Sequence, residues 1–116
     1  MEVRRKEDGR MQENVIFEIR EGALTARLQC EIDHHTASGL RERIDGQMFR
    51  HRPELLILDF SGVRFMDSSG LGLILGRSEV ATAIGASVRL TGLSPAVTRL
   101  LRLSGLDRVK NVTIGK

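Results

Sequence analysis

Asp67, Ser68 and Ser69, followed by Gly70 and Gly72, form the stretch of this chain best equipped for chemistry. They come shortly after the apolar run LLILDF at residues 55–60 and open a segment of helical character that extends to about Ile84. The junction reads as strand, tight connection and helix N-terminus. Side-chain oxygens are favoured there because the first backbone N–H groups of a helix lack intrahelical partners. A small hydroxyl held at such a place is also open to reaction, so residue types alone leave Ser68 as either a cap or a chemical site. A second candidate is Asp33-His34-His35-Thr36, which suggests a metal site or a catalytic base.

Spacing removes the familiar enzymatic patterns. A nucleophile elbow needs G-x-S-x-G, but Met66 stands where Ser68 would require the first glycine, and Asp67 where Ser69 would. A dinucleotide fingerprint starting at Gly70 and Gly72 finds Leu75 in its third glycine position, with Gly76 one residue late. No G-K-[ST] phosphate loop is present. Adjacent histidines in extended backbone point to opposite sides, and the H-x-x-x-H spacing that sets two ligands on one helix face is absent. A hydrolase built from Ser68 with His34 or His35 lacks any readable oxyanion hole. The expectation is therefore no catalytic residue, no metal site and no cofactor, with residues 33–36 forming a loop that caps a helix and contributes to a surface.

Gly72 and Gly76 need their own account, since an interior helical glycine costs roughly 1 kcal/mol relative to alanine. Four apart, they share a face. Either the helix approaches its own sheet closely there, which the spacing favours, or the glycines leave a bare surface for a partner.

The elements that must hold these residues fit one domain. The chain has 116 residues and 41% hydrophobic content, enough to bury about two thirds of its unfolded surface without disulfide staples. Cys30 is the only cysteine, which fits a reducing compartment and excludes a multi-cysteine metal site within one chain. No apolar run approaches the roughly 18 to 20 residues of a membrane span, and residues 1–14 have no apolar core for a secretory signal. A cytoplasmic protein is expected. The net charge of +3 comes from scattered, interleaved charges, and Trp and Tyr are absent, so direct nucleic-acid binding is not expected.

Residues 1–13 read as a charged, mobile tail and 14–116 as the domain. Val15, Phe17 and Ile19 alternate with Ile16, Glu18 and Arg20, and Leu24, Ala26 and Leu28 with Thr25, Arg27 and Gln29, on either side of Glu21-Gly22, which predicts a hairpin. Ala37, Leu40, Ile44 and Met48 predict a helix, capped by Asp33 or Thr36 and ended near Pro53. A strand at 55–58, the helix after Asp67 ended by Gly85, and a strand at 87–91 follow. Ser94-Pro95 then starts a helix with Val97, Leu100, Leu101 and Ser104 on one face, stopped by Gly105. Val109, Val112 and Ile114 suggest an edge strand. The predicted class is α/β, a mixed sheet of four to five strands with helices mainly on one face.

Three segments, EIDHHTA at 31–37, FMDSSGLGLILGR at 65–77 and LSPAVTRLLRLSGL at 93–106, resemble the anti-sigma factor antagonists. These are single-domain STAS proteins of bacterial partner switching, and the likeness is greatest to the sporulation type. It spans about residues 15–114. The resemblance implies that Ser68 is a phosphorylation site. It implies that the partner is an anti-sigma factor which is also a serine kinase using ATP and magnesium, and that a PP2C-type phosphatase reverses the modification. The dephosphorylated antagonist would bind the kinase and release the sigma factor, so the protein would be substrate and ligand rather than enzyme. Asp33, with His34, His35 and Thr36, would belong to the docking surface together with Asp67, Ser69, Gly70 and Gly72. The alternative is a STAS module serving a stress-signalling complex or a lipid-transport regulator.

Overall fold

A computed structural model describes residues 14–115 of the chain. The tail expected at residues 1–13 lies outside them. Strands β1 (Val15–Arg20) and β2 (Ala23–Leu28) form the predicted hairpin; helix α1 (His34–His51) leads to β3 (Leu55–Asp59), and α2 (Ser68–Ala83) to β4 (Ser87–Thr91). Helix α3 (Pro95–Ser104), a 3-10 turn (Leu106–Arg108) and β5 (Val112–Ile114) complete the order. The sheet runs β1-β2-β3-β4-β5. β1 is antiparallel to β2, and every other pair is parallel. This is the five-strand mixed α/β sheet that the alternation predicts.

The hairpin closes because Glu21 and Gly22 both take positive φ, 52° and 84°, the two-residue turn whose twist matches paired strands. Period-two burial then sets the face of each strand. Leu24, Ala26 and Leu28 of β2, Leu56 and Leu58 of β3, and Val88 and Leu90 of β4 are all buried. They share one core with Leu40, Ile44 and Met48 of α1, Leu73 and Ile74 of α2, and Val97 and Leu101 of α3. Burying a side chain of this size is worth roughly 1.5–3 kcal/mol, so the alternation fixes the register: a one-residue slip would turn the whole set to solvent. The opposite face carries Glu18, Arg27 and Asp59 in a charged row, with Arg27 3.4 Å from Glu18 and 3.6 Å from Asp59.

Helix ends follow local chemistry. Ser94 Oγ accepts from the Val97 amide at 3.1 Å with Pro95 at the first helical position, and Gly105 stops α3 in the left-handed region. Ser104 departs from its predicted place on the buried face. It is exposed, and its hydroxyl donates to the Leu101 carbonyl and accepts from the Leu106 amide, closing the helix end instead of filling the core. Arg52, which precedes Pro53, leaves the helix through left-handed backbone (φ 48°). Among the described residues no helix is long and apolar enough to cross a membrane.

Candidate functional site

The two motifs 31–37 and 65–77 meet through a single β-bridge. The Ile32 amide donates to the Phe65 carbonyl at 3.1 Å, and the Asp67 amide donates to the Ile32 carbonyl at 3.1 Å. Both bridged residues, Ile32 and Met66, are buried, so the pair is anchored in the core while the chain on either side turns outward. The next residue on each strand is an aspartate that caps a helix. The N-termini of α1 and α2 are thereby set side by side.

At α1, Asp33 Oδ1 accepts from the His35 and Thr36 amides at 2.9 and 3.1 Å, and Thr36 Oγ1 accepts from the Asp33 amide at 3.0 Å. This is a reciprocal capping box, so Asp33 and Thr36 both contribute where the sequence offered them as alternatives. The Thr36 hydroxyl also donates to the Glu31 carbonyl at 2.9 Å. These bonds, the Thr36 amide foremost, hold the Asp33 carboxyl below its ordinary range against a smaller opposing effect of desolvation. The capping box draws the helix back to His34, which corrects the expected loop at residues 33–36: His34 and His35 form the first turn of α1. Both are exposed, with ring centroids 6.0 Å apart. Among the described residues no group of three or more His, Cys, Asp or Glu side chains could hold a metal.

At α2 the cap is Asp67, whose Oδ1 accepts from the Ser69 amide at 2.7 Å. Ser68 is the first residue of the helix, is exposed, and its hydroxyl makes no hydrogen bond among the described residues. The choice left open for Ser68 is settled against the cap: Asp67 does that work and leaves the serine oxygen free. Cys30 lies nearby, half-buried, its thiol pushed up by burial first and then by Asp33, which leaves it a poor nucleophile at neutral pH.

The glycines divide. Gly70 is buried, and a Cβ there would collide with Met66 Cγ and Sδ, so it lets α2 sit on the bridged methionine. A Cβ on Gly72 or Gly76 would meet nothing within 4 Å. The expected close approach of this pair to the sheet is therefore wrong. Both line a groove between α1 and α2 of about 750 Å³, which begins at His34 and Ser69 and extends to Phe49 and Ala83. Sequence reasoning missed two features of the site, Phe65 and the Arg77–Asp45 pair. Phe65 is half-exposed beside the serine, and its only signal is an aromatic residue in a polar turn. Arg77 is buried with Nε 2.8 Å from Asp45 Oδ1, an ion pair rather than a directed hydrogen bond. Nothing in the sequence separates that arginine from the exposed ones.

Electrostatically the site is the positive end of α2 with no acidic residue in its first turn, flanked by the carboxylates of Asp67 and Asp33. A helix N-terminus favours an anion, so a phosphoryl group on Ser68 is compatible with the helix. The same group would place additional negative charge on a face that already carries two aspartates.

A family model described as STAS domain matches residues 14–114. A protein of Paenibacillus polymyxa named anti-sigma F factor antagonist is 40% identical over 88 residues, which are 76% of this chain and 75% of that protein. The solved structure of the anti-sigma factor antagonist SpoIIAA in its unphosphorylated form is 30% identical, with a TM-score of 0.74 and 88% of each chain covered. The Bacillus cell fate determinant SpoIIAA in its phosphorylated form is 29% identical, with a TM-score of 0.67, covering 88% of this chain and 91% of that one.

Proposed function

The chain belongs to the STAS domain family, and from that premise we propose that it is an anti-sigma factor antagonist whose docking face is the pair of helix N-termini and whose switch is phosphorylation of Ser68. The carrying observation is the free Ser68 hydroxyl: it is exposed at the first position of α2, while Asp67 performs the capping. A kinase can take this oxygen without costing the fold a hydrogen bond. The anti-sigma partner is a serine kinase that uses ATP, and a PP2C-type phosphatase restores the hydroxyl.

The effect of the phosphate follows from charge. It adds about −1.5 to −2 at neutral pH, next to Asp67 and across the bridge from Asp33. Inside a docked interface that charge must be desolvated or face like charge, and burying an ill-paired ion costs several kcal/mol. At 1.4 kcal/mol per tenfold in affinity, binding falls by roughly two orders of magnitude or more. Local electrostatics carries the signal, with no rearrangement of the fold. The docking contacts are Asp33, His34, His35 and Thr36 on α1 and Asp67, Ser69, Gly70 and Gly72 on α2. Gly70 and Thr36 act through backbone shape, since one is buried and the hydroxyl of the other is already bonded.

The test is incubation of the chain with the anti-sigma kinase encoded in the same genome and ATP, followed by mass spectrometry. Phosphate on Ser68 and lost affinity of the modified form are expected. No labelling of Ser68, together with wild-type affinity of Ser68→Asp, would sink the reading.

A further inference from the structure

Resting on the docking reading above, we propose that the groove between α1 and α2 is a second part of the partner interface, which receives an amphipathic helix of the anti-sigma partner bearing a carboxylate opposite Arg77 and Arg41.

Continuity supports this first. The groove opens at His34 and Ser69, on the paired helix N-termini, and follows α2 as far as Ala83. That is a path of about 20 Å at the helical rise per residue, enough for roughly four turns of a second helix. A partner seated on the Ser68 face already stands at its mouth.

Shape supports it second. Gly72 and Gly76 leave bare backbone along the groove with no side chain of this chain to meet. Small residues on one helix let the backbone of another approach closely. Phe49, 52% exposed, stands at the far end as an apolar contact.

Charge supports it third and selects the occupant. Arg77 is only 4% exposed yet lines the groove. Its Nε faces Asp45, while its terminal nitrogens donate no hydrogen bond among the described residues. Arg41 also lines the groove, is exposed, and forms no ion pair among the described residues. Glu79 is the acid on the groove wall; Asp45, the partner of Arg77, is not among the lining residues. Asp45 is engaged by Arg77, so a carboxylate on the occupant supplies an acceptor to Arg41 and to the terminal nitrogens of Arg77 in the bidentate geometry arginine favours.

The experiment measures Kd of the dephosphorylated chain for the purified anti-sigma factor of the same genome by calorimetry, with wild type, Ser68→Asp, Gly76→Leu and Arg41→Glu. Gly76→Leu fills the groove and exchanges a helical glycine for a strong helix former, so its thermal stability should equal or exceed that of wild type. Both groove variants should bind at least tenfold more weakly. Amides 72–83 should gain hydrogen-exchange protection in the wild-type complex. Wild-type affinity in both groove variants, with weak binding by Ser68→Asp, would overturn the groove proposal and leave the switch standing. No binding by wild type would overturn both. If Gly76→Leu dissociates a homodimer without changing partner affinity, a second copy of the chain fills the groove and the proposal fails.

Discussion

The capping aspartates Asp33 and Asp67 each stand one residue beyond the same β-bridge, Ile32 with Met66, so two helix N-termini 34 positions apart in sequence are fixed by one pair of backbone hydrogen bonds. The bridge is buried and the caps face outward. Packing energy at Ile32 and Met66 thus holds the geometry of a polar surface to which those two side chains contribute no polar atom.

Ser68 and Asp67 should separate cleanly on mutation. Ser68→Ala removes a hydroxyl without a hydrogen bond and should change unfolding free energy by no more than about 0.5 kcal/mol. Asp67→Ala removes the cap and should cost roughly 1 kcal/mol. Urea titrations of the two variants decide it, and equal losses would contradict the assignment of the cap.

Asp33 gives the fold a pH dependence of defined sign. Its carboxyl is held below its ordinary range in the folded chain, the Thr36 amide being the main cause. A lowered folded value means that the unfolded chain binds the proton more tightly. The stabilisation is therefore complete above the ordinary aspartate value of about 3.9 and is lost as pH falls through the folded value. Asp33→Asn should melt below wild type at neutral pH, and the gap should close in acid. A gap independent of pH would refute the ionic part of the cap.

The three glycines of α2 should respond in opposite directions. Gly72→Ala and Gly76→Ala meet no atom within 4 Å and should each stabilise the chain by about 0.5–1 kcal/mol. Gly70→Ala must displace Met66, with an overpacking cost of roughly 1–3 kcal/mol. Midpoints in guanidinium chloride would register both signs.

Asp45 and Arg77 form an unequal pair. The arginine side chain is 5% exposed and the aspartate 24%, so removing the acid strands a buried cation. Asp45→Ala should destabilise by about 1–3 kcal/mol, below the 3–5 kcal/mol of a fully buried pair because the acid is partly solvated. Arg77→Met removes the charge and keeps much of the volume, so it should cost less. The order of the two melting temperatures is the check.

Most of the fold was legible because its signals are local. Leu24, Ala26 and Leu28 alternate, Leu40, Ile44 and Met48 recur at helical spacing, and Ser94-Pro95 with Gly105 delimits α3 within a dozen residues. The three quoted segments also carried the family resemblance. Local pattern failed at Ser104, where a residue on the apolar period became a terminator because the helix ended there.

The sequence by itself determined the order of the elements, the alternation that buries one face of the sheet, and a serine beside an aspartate at the start of a helix. These follow from backbone sterics and side-chain periodicity within short windows. Only tertiary structure decided that Asp67 rather than Ser68 takes the cap, that residues 31–37 and 65–77 share one surface, and that Gly72 and Gly76 face a groove instead of the sheet. The last two depend on contacts between distant segments, and the first on a local contest that residue types do not resolve. A one-residue bridge leaves no period, a hydroxyl and a carboxylate can both cap, and a glycine pair reads the same whether packed or bare. Arg77 makes the same point, since its burial comes from α1 passing beside α2 and from nothing in the residues next to it.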